Sequence, residues 1–143
     1  MFIGEYSHTI DEKGRMNMPA KFRRDVTEGV VVTRGLDHCL FVYTRAAWET
    51  MADKLAALPM SQKDSRAFAR LMLAGASDSK LDGQGRIMLP EHLREYAKLS
   101  KHVTVTGVGD RMEIWNEDSW GQYKAQTEAQ SDDIAEAMGA LGI

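Results

Sequence analysis

The sequence predicts an α+β fold with pseudo-two-fold symmetry, built from two tandem repeats with flanking helices. The first observation is a segment that occurs twice: Ile10-Asp11-Glu12-Lys13-Gly14-Arg15-Met16-Asn17-Met18-Pro19 returns as Leu81-Asp82-Gly83-Gln84-Gly85-Arg86-Ile87-Met88-Leu89-Pro90. Such internal similarity is typical of one structural unit written twice. The second observation is length, because 143 residues suffice for one hydrophobic core of ordinary size but not for two independently stable ones. We therefore expect the repeats to share a core.

Each repeat begins with two short strands around a tight turn. Strands are predicted over residues 6–10 and 15–18, because Gly14 can supply the positive φ that a short hairpin loop with a bulge requires. Asp11 suits the start of that turn. The second repeat has the same design around Gly85, with an extra glycine that is expected to loosen the turn.

A proline then ends the strand and is expected to open a short helix, since its missing N–H needs no partner in the first helical turn. An apolar residue should face the core, and the arginine beside it should point outward. The equivalent pairs are Pro19 and Pro90, Phe22 and Leu93, and Arg23 and Arg94.

Two more strands and then longer helices follow in each repeat. The predicted strands are residues 30–33, 40–43, 103–106 and 112–115, with turns at 35–38 and 107–110. Helices are predicted from the apolar spacing of Trp48, Met51, Leu55 and Leu58, up to Gly75, and over residues 118–130. These apolar stripes are expected to be core or interface.

The chain accordingly divides into four segments that form one globular unit and a tail. They are the first repeat with its following helix at residues 1–60, a connecting helix at 61–76, the second repeat with its following helix at 77–130, and a C-terminal tail at 131–143. The tail has a plausible helix start at Ser131 and apolar residues at Ile134, Met138 and Leu141.

Several classes of function are not expected. No apolar run approaches the roughly 20 residues that span a bilayer, and the N-terminus lacks a signal-peptide pattern, so we expect a cytoplasmic protein without a membrane partner. The single cysteine, Cys39, agrees with a reducing compartment. No phosphate loop, zinc-ligand spacing or nucleophile elbow is present, which predicts no enzyme activity, no cofactor, no metal and no small-molecule substrate.

Charge is unevenly distributed along the chain. The formal net charge is -3, yet the segment from Asp11 to Arg24 carries five basic residues against two acids. From Asn116 onward, six acids stand against Lys124 alone. The pattern predicts a basic face beside the first turn and an acidic C-terminal segment.

The basic residues around the first turn indicate DNA binding. A turn at the tip of a two-stranded ribbon can approach the major groove, where arginine pairs bidentately with guanine. Nearby lysines and helix-borne arginines would contact phosphates. The candidates are Lys13, Arg15, Lys21, Arg23, Arg24 and Arg86.

A purely structural role for the two turn arginines is equally compatible with the pattern. Each follows an aspartate by four residues, so contacts from Arg15 to Asp11 and from Arg86 to Asp82 could brace the loop. Both roles can hold, with the aspartate aiming the arginine.

In these motifs the chain resembles the MraZ family within the AbrB-like superfamily. The resemblance is carried by the doubled Asp-x-x-x-Arg element, by the apolar pair and proline after it, and by the opening Met1-Phe2-Ile3-Gly4-Glu5-Tyr6; it extends to about Ser131. It implies a swapped-hairpin β-barrel that one chain builds alone. Arg15 and Arg86 match the family arginines, with Asp11 and Asp82 as partners and Gly14 and Gly85 in the turns.

The resemblance also implies a function. Members bind short direct repeats upstream of the division and cell-wall gene cluster, which includes their own gene, generally repress it, and assemble into rings. We thus expect a nucleoid-associated repressor whose partners are double-stranded promoter DNA and further copies of itself. Because Gln84 replaces Lys13 in the second repeat, that copy is expected to serve assembly or bracing.

An antitoxin-like interaction module is the alternative, with the acidic C-terminal segment masking a basic partner. Antitoxins of this superfamily usually have one barrel half and a long disordered tail, whereas this chain has two halves and a short tail.

Overall fold

The computed structural model describes residues 1–143 as eight strands, five α-helices and short connecting turns. The strands are β1 (Phe2–Thr9), β2 (Arg15–Asn17), β3 (Val30–Arg34), β4 (Leu40–Thr44), β5 (Ser77–Ser79), β6 (Arg86–Met88), β7 (His102–Gly109) and β8 (Met112–Asn116). The α-helices are α1 (Arg45–Ala56), α2 (Lys63–Ala69), α3 (Glu91–Tyr96), α4 (Glu117–Ala129) and α5 (Ser131–Met138). A 3-10 helix spans Ala20–Val26, a π-helical turn Arg70–Ala74, and a 3-10 turn Gly139–Leu141.

The two repeats exchange strands with each other. A six-stranded antiparallel sheet has the order β1-β7-β8-β4-β3-β5, and β2 pairs with β6 in a separate two-stranded sheet. Within the first repeat, β1 and β2 form no ladder with each other, and an isolated bridge joins Ile10, which follows β1, to Met16 of β2. The predicted α+β fold of two interleaved repeats is therefore confirmed, although the strands around each turn pair across repeats.

One hydrophobic core lies between the two sheets and draws equivalent residues from both repeats. Its buried members include Met16, Met18 and Phe22 from the first repeat and Ile87, Leu89 and Leu93 from the second. The Phe22 ring packs edge-on against Phe2 and Tyr6, with ring centroids 5.0 and 5.2 Å apart. Phe22 and Leu93 face inward, as predicted.

The opposite face of the large sheet is covered by helices. A second apolar cluster there contains Tyr43 from β4, Leu55 from α1 and Trp115 from β8. Trp115 also packs against Trp120 of α4, with ring centroids 5.2 Å apart. The helical apolar stripes thus serve packing, which is the role expected of them.

Two local predictions are wrong. Pro19 and Pro90 do not open their helices but precede them as N-cap residues, because their ψ angles of 132° and 152° are extended. The turn predicted at residues 107–110 is shorter, because β7 continues to Gly109. Pairing with β1 over its whole length keeps this segment extended, with Gly107 opposite Gly4.

The C-terminal tail forms a helix that begins at Ser131, where the sequence predicts one. All residues of α5 and of the following turn are exposed. None of the helices is both long enough and apolar enough to cross a membrane.

Candidate nucleic-acid interface

The ribbon of β2 and β6 presents one arginine from each repeat on the same face. Its three paired positions are Arg15 with Met88, Met16 with Ile87, and Asn17 with Arg86. Met16 and Ile87 are buried in the core. Since side chains alternate along a strand, Arg15 and Arg86 both lie on the outer face, at diagonal positions.

Each arginine follows a turn of the type expected from its glycine. Gly14 has a φ of +85° and donates its N–H to the carbonyl oxygen of Asp11 at 3.0 Å. The backbone N–H of Asp11 donates to the carbonyl oxygen of Arg15 at 2.9 Å. Gly85 has a φ of +77°, and the equivalent hydrogen bonds have the same lengths. The extra glycine of the second turn therefore does not loosen it.

Asp11 organises the first turn and orients the arginine. One of its carboxylate oxygens accepts the backbone N–H groups of Lys13 and Arg15, both at 2.9 Å. The other oxygen accepts the Nε–H of Arg15 at 2.7 Å. These donors hold the pKa of Asp11 below its ordinary value, led by the backbone N–H of Arg15. The carboxylate is therefore ionised at neutral pH.

The second turn repeats this arrangement and lies close to the first. Asp82 accepts the backbone N–H of Arg86 at 2.9 Å and its Nε–H at 2.8 Å, and the pKa of Asp82 is lowered for the same reason. Nη1 of Arg86 also lies 3.9 Å from Oδ2 of Asp11. Both guanidinium groups consequently lie beside one carboxylate.

Bracing and ligand binding are compatible in this geometry. The aspartate contact of Arg15 uses Nε, and neither Nη atom makes a hydrogen bond within the chain. Arg15 and Arg86 each remain partly exposed. A guanidinium has five N–H donors, so the outer edge of each group is available to an acceptor outside the protein.

Arg23 is exposed, as predicted, and Arg94 is half-buried, and each also packs against the turn of the other repeat. Nε of Arg23 donates to the carbonyl oxygen of Met18 at 3.1 Å, and its guanidinium lies over Gly85. Nε of Arg94 donates to the carbonyl oxygen of Leu89 at 2.9 Å, and the guanidinium of Arg94 lies over Gly14. The two arginines thus clamp the turns onto the ribbon.

The remaining basic candidates lie at the surface. Lys13 is exposed on the first turn, and Lys21 and Arg24 are exposed on the 3-10 helix that follows β2. Sequence reasoning missed Asn17 and Met88, which share the outer ribbon face with the arginines. Their alternation with the apolar residues Met16 and Ile87 could have placed them there.

We predict that the positive φ of the turn makes Gly14 irreplaceable. In Gly14→Ala the new Cβ would lie 2.9 Å from the carbonyl oxygen of Leu89, in a left-handed conformation, so stability should fall by about 1–3 kcal/mol. Gly83→Ala is the matched control, because nothing lies within 4 Å of its Cβ and its φ is not positive. Urea unfolding should leave this control within about 0.5 kcal/mol of the parent. Equal losses in the two variants would contradict the role assigned to the Gly14 turn.

Other chemistry has little support in the structure. Cys39 is fully buried, and burial raises the pKa of its thiol well above the ordinary value, which makes it a poor nucleophile. No cluster of three or more His, Cys, Asp or Glu side chains could hold a metal ion.

Comparison with known proteins gives two concordant findings. The profile of a family described as "MraZ protein, putative antitoxin-like" matches the chain twice, over residues 1–71 and 72–140. The transcriptional regulator MraZ of Carboxydothermus hydrogenoformans is 51% identical to this chain over 138 residues, which cover 96% of each protein. The transcriptional regulator MraZ of Alkaliphilus metalliredigens is 48% identical over 143 residues, the full length of both.

Proposed function

The chain belongs to the MraZ family of transcriptional regulators, which are not enzymes, and we propose that it binds short direct repeats in promoter DNA as a ring-shaped homo-oligomer. It represses the division and cell-wall gene cluster that includes its own gene. This activity places it in the cytoplasm, at the nucleoid. The single observation that carries the proposal is the ribbon face on which Arg15 and Arg86 lie together.

The ribbon supplies base recognition in this proposal. Two strands are narrow enough to enter the major groove, and each arginine is held at Nε so that its outer edge faces the ligand. Arg86 lies beside Arg15 despite the weaker charge of the second repeat. We therefore propose that both repeats contact bases.

Phosphate contacts set the position of the ribbon on DNA. We propose them for the exposed residues Lys13, Lys21, Arg23 and Arg24; of these, Arg23 also donates its Nε–H to the carbonyl oxygen of Met18. Asp11, Gly14, Asp82 and Gly85 do not touch DNA but brace the two turns. A ring brings several ribbons to successive direct repeats, and such multivalency raises the effective concentration for each further contact.

The test is the salt dependence of binding to the fragment upstream of the protein's own gene. Each phosphate contact should add about 0.9 to the slope of log affinity against log salt, and Lys21→Ala should reduce that slope. Fluorescence anisotropy with a labelled fragment measures it. A slope near zero, or equal affinity for a fragment with scrambled repeats, would overturn the proposal.

The antitoxin-like alternative rests on the acidic segment after Asn116. In the structure this segment is two helices, α4 and α5, and not the long disordered tail expected of such a module. The regulator is therefore the function that the geometry favours.

A further inference from the structure

An open groove of about 840 Å³ runs along the edge of the large sheet. It lies between β1 and the 3-10 helix Ala20–Val26. Its apolar lining includes Ile3, which is 65% exposed, and Tyr6. Lys21, Arg23 and Arg24 add positive charge against Asp25 alone. The groove is therefore both apolar and basic.

The C-terminal helix α5 has the complementary character. Ile134, Met138 and Leu141 recur at helical spacing, and Leu141 is 73% exposed. The same segment carries three acids and no basic residue: Asp132, Asp133 and Glu136. Ile134 and Met138 keep 39% and 37% of their surface exposed, and no residue of α5 is buried. A partly exposed apolar stripe flanked by acids indicates a partner that is apolar and basic.

We infer that α5 of one copy docks in the groove between β1 and the 3-10 helix of the next copy, which rests on the ring proposed above. The apolar stripe would cover Ile3 and Tyr6 while the acids face Lys21 and Arg24. Because the helix and the groove are different surfaces of the chain, the contact is heterologous. Repetition of a heterologous contact closes a ring when the rotation between copies allows it.

The state of β1 supports this assignment. β1 is an edge strand that pairs only with β7, and its other edge is left without a strand partner over eight residues. Soluble proteins generally cover or blunt such edges. The chain's own α5 contributes no residue to the groove beside β1.

The contact shares two cations with the proposed DNA interface but not its apolar centre. Lys21 has three N–H donors and Arg24 has five, so each can hold an α5 carboxylate and a phosphate at the same time, whereas Ile134 and Met138 serve assembly alone. Substitutions in α5 therefore separate assembly from DNA contact.

The first experiment compares oligomer mass by sedimentation. Ile134→Ser combined with Met138→Ser should shift the protein from the wild-type mass to that of a single chain, 16.0 kDa. Met60→Ser is the matched control, because Met60 is 83% exposed in the turn after α1 and lies outside both surfaces. Thermal unfolding should show that the α5 variant keeps a folded body.

The second experiment mixes two defective chains. Ile3→Asp removes an apolar contact and repels the acidic helix, so this variant alone should also be a single chain. An equimolar mixture with the α5 variant retains one intact groove and one intact helix, and should form a species of twice the chain mass. A mixture that stays at the mass of one chain would overturn the contact.

Failure of the contact is distinguishable from failure of the ring. If the wild type assembles and the α5 variant assembles equally, the ring stands and the assigned contact is wrong. If the wild type is itself a single chain, the ring and the contact are both wrong. DNA binding by the ribbon is then tested separately, by the salt dependence of its affinity.

Discussion

Replacement of both Arg15 and Arg86 by alanine is expected to weaken the binding of one ribbon to one promoter repeat by about 30- to 30,000-fold. Each bidentate contact from arginine to guanine contributes about 1–3 kcal/mol of base discrimination. Both side chains lie on the outer face of the ribbon, so the two losses should combine. Anisotropy titrations with a fragment that carries one repeat would measure the effect without the contribution of the ring.

Two further variants separate base recognition from the loss of positive charge. Arg70→Ala removes one positive charge, as each of the two substitutions does, from an exposed position on the π-helical turn and should leave binding nearly unchanged. Arg15→Lys keeps the charge but loses the planar fork, so it should retain binding to unrelated DNA and lose preference for the repeats. Specific binding by the double alanine variant at the parental level would remove both arginines from the mechanism.

Phe22→Ala and Leu93→Ala are expected to destabilise the whole protein, by about 3–5 and 2–5 kcal/mol respectively. The two residues are equivalent in the two repeats and are buried in the same core. Phe22 also loses its edge-on contacts with Phe2 and Tyr6. Denaturant unfolding followed by fluorescence and by circular dichroism would measure both free energies.

Because the repeats exchange strands, each substitution is expected to lower the denaturant midpoint of a single unfolding transition that both repeats share. Val108→Ala is the control, since Val108 is partly exposed on β7 and its truncation should cost less than about 1 kcal/mol. Two separate transitions, with each variant affecting only one, would contradict a shared core.

The repeat made much of this fold predictable from sequence. The doubled turn fixed the number of units, Gly14 and Gly85 indicated the turn type, and Phe22 and Leu93 could be assigned to the core from their equivalent positions. Each of these inferences depends on local chemistry, namely backbone conformation or the alternation of apolar residues.

The parts that sequence reasoning missed depend on contacts between the repeats. Nothing local shows that β2 pairs with β6, and therefore nothing places Arg86 beside Arg15. Arg23 looks like a free surface charge in sequence, yet it packs over Gly85 of the other repeat. Long-range pairing of this kind is set by the shared core.

Base recognition by both arginines is tested most directly by the ratio of affinities for repeat and scrambled DNA, measured for Arg86→Ala beside Arg15→Ala. The ribbon geometry predicts that each single variant lowers this ratio by about 5- to 150-fold, because each arginine contacts a base from the same face. A wild-type ratio for Arg86→Ala, together with a reduced ratio for Arg15→Ala, would contradict the claim and restrict base recognition to the first repeat.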